Sequence, residues 1–266
     1  MNILVTLDRG YLQPLSVMLK SLAASDKDSF FDVYVMNSSL TNKDFDCLAD
    51  SCKTERIKLI DIKIDGSVLE DAPVTDRYPK EMYYRIFASK FLPEYIDKIL
   101  YLDPDIIVQK PLVSLYDTDM GDMYFAAASH VGNILTKVNN IRLNTDDESP
   151  YINSGVMLMN IKLLRKEQDF TEVFSYIDKY KKLLILPDQD VISAVYSEKI
   201  MSIDPYIYNM TERLLLHPDT IEKDIDIGWV AKNTAIIHFC GRNKPWKERY
   251  MGVLGYIWHY FANLQL

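Results

Sequence analysis

The chain has 266 residues, 48% of them apolar, 26% charged and 12% aromatic, which is enough to bury the core of one α/β domain and too apolar for wholesale disorder. A formal net charge of -8 argues against a nucleic-acid polymer as partner, because such proteins replace phosphate counterions with basic surface. Cys47, Cys52 and Cys240 form neither a zinc spacing nor a disulfide scaffold, so a reducing cytoplasm is the expected location.

Residues 1–7 read as a buried strand that starts at Met1, with no basic, apolar or cleavage pattern of a secretory signal. Leu12, Leu15, Val17, Met18, Leu19 and Leu22 follow at helical spacing. Residues 31–36 predict a second strand, Thr41 with Asp44 a capping box for a short helix, and residues 57–64 a third strand. An aromatic-rich helix is predicted over 80–91, ending before Leu92-Pro93, and a strand over 98–102 then delivers Asp103. Further strands are expected at 124–128, 152–160 and 234–239, and helices at 170–184 and 189–197, the second with Asp188 as N-cap. The most loop-like stretch is 143–150. This alternation predicts an α/β fold with a Rossmann-like, mixed but mostly parallel sheet flanked by helices. No apolar run approaches the roughly 18 to 20 residues of a membrane span, so membrane contact is expected to be peripheral at most.

Ligands of open α/β sheets gather at the carboxyl ends of strands. Several acidic pairs of the form Asp-x-Asp occur, at 26/28, 44/46, 117/119, 188/190 and 224/226, but only Asp103-Pro104-Asp105 joins two strongly apolar runs. In an extended segment side chains two apart point the same way, so both carboxylates can face one cation. A turn in which the aspartates cap the backbone around Pro104 is the competing reading. His238 ends the apolar run Ala235-Ile236-Ile237 and leads into Phe239-Cys240-Gly241-Arg242-Asn243-Lys244-Pro245-Trp246. Two carboxylates and an imidazole suit Mn²⁺ better than the oxygen-seeking Mg²⁺, which stays open as an alternative. Gly241 allows close backbone approach to a phosphate, and Lys244 can donate to it as a point charge.

These residues resemble glycosyltransferase family 8, which includes bacterial lipopolysaccharide galactosyl- and glucosyltransferases and the glycogenins. The resemblance runs through Asp8 and Tyr11, Tyr84-Arg85, Leu92-Pro93, Asp103 to Asp105, Tyr151-Ile152-Asn153-Ser154-Gly155-Val156, Leu186-Pro187-Asp188-Gln189-Asp190, and His238-Phe239-Cys240-Gly241 with Lys244-Pro245-Trp246. It implies a GT-A fold and retaining transfer of glucose or galactose from a UDP-sugar to a saccharide or glycolipid acceptor. By the same resemblance Asp103, Asp105 and His238 are the metal ligands, and Asp8 and Tyr11 the uracil-binding pair. Gly241 and Lys244 match the β-phosphate contacts, and Arg85, Asn153, Asp188 and Gln189 the residues around the donor sugar, with Asp188 and Gln189 the catalytic pair. Residues 1–245 would form the catalytic domain and 246–266 a helical tail, packed on the core or lying near a lipid-linked acceptor at the inner face of the membrane.

Three departures from the family pattern stand out. Pro104 removes a backbone donor between the two aspartates, Ser129-His130 stands where an acidic residue is frequent, and Gly10 replaces a polar residue before Tyr11. Two other functions remain open at this level: a metal-dependent nucleotide-sugar hydrolase, and a nucleotide-sugar-binding module without turnover.

Overall fold

A computed structural model describes residues 1–65, 80–217, 220 and 222–266. The strands are β1 Asn2–Thr6, β2 Phe31–Asn37, β3 Ile57–Lys63, β4 Lys98–Leu102, β5 Ile106–Val108, β6 Phe125–Ala127, β7 Val156–Asn160, β8 Ile200–Ser202 and β9 Ile236–His238. Helices of seven residues or more are α1 Leu12–Ser25, α2 Asn42–Cys52, α3 Asn133–Leu143, α4 Ile161–Glu167, α5 Phe170–Tyr180, α6 Pro187–Val195, α7 Ile227–Asn233 and α8 Gly255–Ala262.

Among the described residues the main sheet runs β3-β2-β1-β4-β7-β6-β8. Strands β1 to β4 pair in parallel, β7 is antiparallel to both β4 and β6, and β6 pairs with β8 in parallel. The sheet is therefore mixed and mostly parallel, as expected. Period-two alternation divides its side chains between two cores. Ile3, Val5, Val33, Val35, Leu100 and Leu102 face α1, while Leu4, Tyr34, Met36, Ile99 and Tyr101 pack with Tyr83, Tyr84 and Phe87 on the other side. A separate ribbon of β5 and β9 closes one end over a third cluster containing Ile107, Ile237 and Val230. Leu254, Ile257, Trp258 and Phe261 from α8 and its approach belong to that same cluster.

Several predicted boundaries shift, each for a local reason. The expected 80–91 helix splits into a 3₁₀ segment, Lys80–Arg85, and one turn, Ala88–Phe91. Tyr83, Tyr84, Arg85, Ile86, Phe87 and Ala88 are all buried, and a continuous helix cannot bury six consecutive residues against a single face. The 152–160 strand begins only at Val156, because Leu102↔Val156 is the last rung shared with β4. Helix α5 stops at Tyr180, short of 184, and α6 spans 187–195. Asp188 is not its N-cap, since Leu186 holds that position and Asp188 lies in the first turn. The orphan amides at that end are served by Asp190, whose Oδ2 accepts from the Ile185 and Leu186 N–H groups at 2.6 and 3.1 Å. Helices α3, α4 and α7 and strand β8 lie where no element is expected. The signal for α3 is the spacing of Ile134, Val138 and Ile141, side chains that end up exposed. The capping box of α2 is as predicted, with Asp44 Oδ2 accepting from the Thr41 N–H at 2.8 Å.

Candidate active site

Asp103 and Asp105 lie in a turn between β4 and β5, which corrects the expectation of one extended run. The two strands belong to different sheets, so the chain must bend between them. Convergence of the carboxylates comes instead from pairing. Ile106 is in register with His238 across the β5–β9 ribbon, and the Phe239 N–H donates to the Asp105 carbonyl at 3.0 Å. His238 Nε2 thereby sits 3.5 Å from Asp103 Oδ2 and 3.3 Å from Asp105 Oδ1. One ligand atom from each of the three residues lies within 4.8 Å of the others.

That donor set, two carboxylates and an imidazole, fits a divalent cation. The cradle beside it is shaped by Gly155. A Cβ there would stand 2.2 Å from His238 Cε1 and 2.7 Å from Asp103 Oδ2, so the chain carries no side chain where these two residues need room. The carboxylates stay ionised. Burial alone would raise Asp105, but the Lys244 ammonium and His238 outweigh it and hold the group well below the usual carboxylate range. Burial likewise opposes ionisation of Asp103, and Arg85 with His238 reverses the effect. Burial would lower His238, but the facing carboxylates push it up to about 10.

Arg85 is the second organising charge. Its Nη1 reaches Asp103 Oδ1 at 3.0 Å, Asp188 Oδ2 at 3.2 Å and the Ser154 carbonyl at 3.1 Å, and the guanidinium covers the Tyr101 ring at 4.3 Å. Tyr101 in turn donates to Asp103 Oδ1 at 2.6 Å, and Ser154 Oγ donates to Asp188 Oδ2 at 2.7 Å. Burial raises Asp188, with Arg85 pulling the other way. Arg85→Met would leave the Asp188 carboxylate, 1% exposed, without a cation. It is expected to cost about 3 kcal/mol, read as a lower urea midpoint, with Arg85→Lys losing less because it keeps the charge. An unchanged midpoint in the methionine variant would show that the network carries no stability.

A cavity of about 730 Å³ opens over this network. All eleven residues singled out in the sequence line it: Asp8, Tyr11, Arg85, Asp103, Asp105, Asn153, Asp188, Gln189, His238, Gly241 and Lys244. On one wall Asp8 Oδ1 caps the turn to Tyr11 by accepting from the Gly10 N–H at 2.6 Å. Tyr11 packs edge-on against Trp246 with centroids 6.2 Å apart. Lys244 bridges this wall to the acidic pair. Its Nζ is ion-paired with Asp105, donates to the Phe239 carbonyl at 2.9 Å and lies 5.9 Å from the Tyr11 ring centre. Gly241 has φ +90°, in the left-handed region that favours glycine. Elsewhere in the lining Asn153 Nδ2 donates to Gln189 Oε1 at 3.3 Å.

Several residues that organise the site were given no role from the sequence. Tyr101 and Ser154 orient the carboxylates, and Asp190 takes a bidentate pair from Arg142 at 2.8 Å together with the Tyr151 hydroxyl at 2.7 Å. Asn209, fully buried, contacts His238. Ser154, Tyr151 and Asp190 fall within the motif stretches that carry the resemblance, and Tyr101 within the apolar run that delivers Asp103, whereas Arg142 and Asn209 lie outside every such stretch.

The sequence profile of glycosyl transferase family 8 matches residues 2–249. The chain belongs to this family. Among similar proteins, general stress protein A of Bacillus subtilis (strain 168) is 25% identical over 255 residues, covering 93% of this chain and 88% of that protein. A lipopolysaccharide 1,2-glucosyltransferase of Escherichia coli is 23% identical over 249 residues, covering 93% of this chain and 73% of its own length. The galactosyltransferase LgtC, crystallised with donor and acceptor sugar analogs, superposes with a TM-score of 0.80 at 23% identity, covering 98% of this chain and 95% of LgtC. GlyE of Streptococcus pneumoniae TIGR4 gives 0.74 at 21% identity, over 99% of this chain and 60% of GlyE. The fold of this family 8 glycosyltransferase is thus GT-A, and among its described residues no helix is long and apolar enough to cross a membrane.

Proposed function

We propose that this family 8 glycosyltransferase moves a hexose, glucose or galactose, from a UDP-sugar to a saccharide or glycolipid acceptor, with retention of configuration and with Mn²⁺ as its cation. The observation that carries the reading is the convergence of Asp103, Asp105 and His238 within 4.8 Å in the lining of the cavity. Lys244 stands there between the acidic pair and the Tyr11 ring. A diphosphate joins a base to a sugar, and on this reading Asp8 and Tyr11 would take uracil, Lys244 and Gly241 the phosphate, and Arg85, Asn153, Asp188 and Gln189 the hexose, all of them lining one cavity.

Asp103, Asp105 and His238 would hold the cation, which supplies positive charge to the diphosphate oxygens of the leaving group. Lys244 adds a second positive charge from a fixed position, since Asp105 and the Phe239 carbonyl anchor its ammonium. The bond from the anomeric carbon to the diphosphate breaks with its electron pair on phosphate. The acceptor oxygen bonds to the anomeric carbon on that same face, and its proton passes to the departing phosphate oxygen. Gln189 is a neutral amide whose oxygen already accepts from Asn153. It is a poor nucleophile, so front-face attack is favoured, with Gln189 and Asp188 facing the positive charge that develops on the sugar. Residues 1–245 would hold this machinery, and 246–266 would brace it through Trp246, which packs on both Tyr11 and Trp258. A cytoplasmic location with peripheral contact at the inner face of the membrane suits a glycolipid acceptor.

The test is a donor screen with product NMR. UDP-glucose or UDP-galactose should be consumed only with a divalent cation, faster when a sugar acceptor is present, and the new linkage should keep the donor's α configuration. Consumption that no acceptor accelerates would favour a hydrolase, UDP binding without turnover a binding module, and an inverted product would overturn the mechanism.

A further inference from the structure

Asn209 follows the short helix Pro205–Tyr208 and is completely buried. Its position beside β9 is imposed by the backbone, because the next residue, Met210, donates to the Ile236 carbonyl at 3.0 Å and accepts from the His238 N–H at 2.8 Å. The side chain lies between two groups of the cavity, 3.0 Å from His238 Nδ1 on one side and 3.0 Å from Asn153 Oδ1 on the other. The backbone carbonyl oxygen of Asn209 is also used, against His130 Nε2 at 2.7 Å.

Hydrogen-bond polarity along this chain follows from one backbone group. The Gly155 N–H can only donate, and it points at Asn153 Oδ1 at 3.2 Å, so the facing atom of Asn153 is an acceptor. The Asn209 atom next to it must then be the amide nitrogen. That turns the Asn209 oxygen toward His238, and Nδ1 of the imidazole must carry a hydrogen. Nε2 is left facing Asp103 and Asp105, with its in-plane lone pair free for a cation once no proton occupies it. Asn153 passes the constraint on to Gln189 through its own amide nitrogen at 3.3 Å.

We propose that Asn209 is a positioning residue for this site. It holds His238 in the form protonated at Nδ1, with Nε2 aimed at the cation, and it ties that imidazole through Asn153 to the sugar-facing Gln189. Cation and hexose subsites are thereby kept in one geometry. The inference rests on reading Asp103, Asp105 and His238 as the cation site. An outer hydrogen-bond partner of this kind fixes ring orientation and tautomer, and its loss typically costs about 10–100-fold in metal affinity.

Two variants separate the two halves of the role. Asn209→Leu removes both hydrogen bonds at similar volume. Asn209→Asp keeps an acceptor for His238 Nδ1–H but cannot donate to Asn153. Mn²⁺ alone is titrated into the nucleotide-free, full-length protein and followed by electron paramagnetic resonance, with thermal melting to confirm folding. Asn209→Leu should weaken Mn²⁺ about 10–100-fold, whereas Asn209→Asp should stay within about threefold of wild type yet turn over UDP-hexose more slowly at saturating Mn²⁺. Wild-type Mn²⁺ affinity in the leucine variant would overturn the proposal, as would an aspartate variant that loses affinity as the leucine variant does. A leucine variant that does not fold leaves the aspartate variant to decide, through the split between retained affinity and slowed turnover. Failure of the wild-type protein itself to bind Mn²⁺ would overturn the cation site and this role together.

Discussion

Asp105→Asn is expected to lower hexosyl transfer by about a thousandfold, the scale of losing one preorganised electrostatic stabiliser at a leaving group. The change is nearly isosteric, so its effect is one of charge. Asp105 is 5% exposed, faces His238 Nε2 at 3.3 Å and receives the Lys244 ammonium. An amide in that place cannot neutralise a cation, and it leaves Lys244, itself 7% exposed, without its anion. A stability loss of about 3 kcal/mol is therefore expected as well. Mn²⁺ titration by calorimetry, steady-state UDP release and a urea melt read the three consequences separately. Turnover equal to wild type in a folded Asp105→Asn protein would remove the cation site from the mechanism.

Gly155→Ala is expected to weaken Mn²⁺ by at least about tenfold although it adds a single methyl group. The new Cβ would lie 2.2 Å from His238 Cε1 and 2.9 Å from its Nδ1, and 2.7 Å from Asp103 Oδ2. Contacts that short force atoms apart, and the atoms displaced belong to two of the three ligands. Moving away is costly for His238, because Asn209 holds its ring from behind. Gly132→Ala is the matched control, since among the described residues, its chain neighbours aside, no heavy atom lies within 4 Å of its Cβ position, and its Mn²⁺ affinity should be unchanged. Equal affinities in the two variants would mean that the space beside Gly155 is not needed by the ligands.

The candidate site was legible where chemistry follows an apolar strand. Asp103 announced itself because Ile99-Leu100-Tyr101-Leu102 runs straight into it, and His238 because Ala235-Ile236-Ile237 does the same. Both runs are buried strands or their flanks in the fold. Arg85 was harder. Its segment is predicted as an aromatic-rich helix, a setting that does not say whether an arginine faces solvent or core, and only its burial between Asp103 and Asp188 shows it as an internal counter-charge. Asp188 illustrates a different failure. An aspartate before an apolar period predicts an N-cap, but Pro187 already starts the helix, and the capping work falls to Asp190.

By itself the sequence determined most of the elements of this protein and the chemistry available to them. Apolar periods of two and 3.6 set most of the strands and helices, and the polar residues at strand ends set which charges the cavity could hold. Which of those charges meet was decided only by tertiary structure. The β5–β9 register places His238 over the Asp103–Asp105 turn, and the pairing of residue 210 along β9 places Asn209 behind the imidazole. The physical reason is that a local period encodes which face of an element is buried, whereas partners far apart in the chain leave no local pattern that names one another. Asn209, after Tyr206-Ile207-Tyr208, looks like any polar residue at a helix end until the strand beside it is in place.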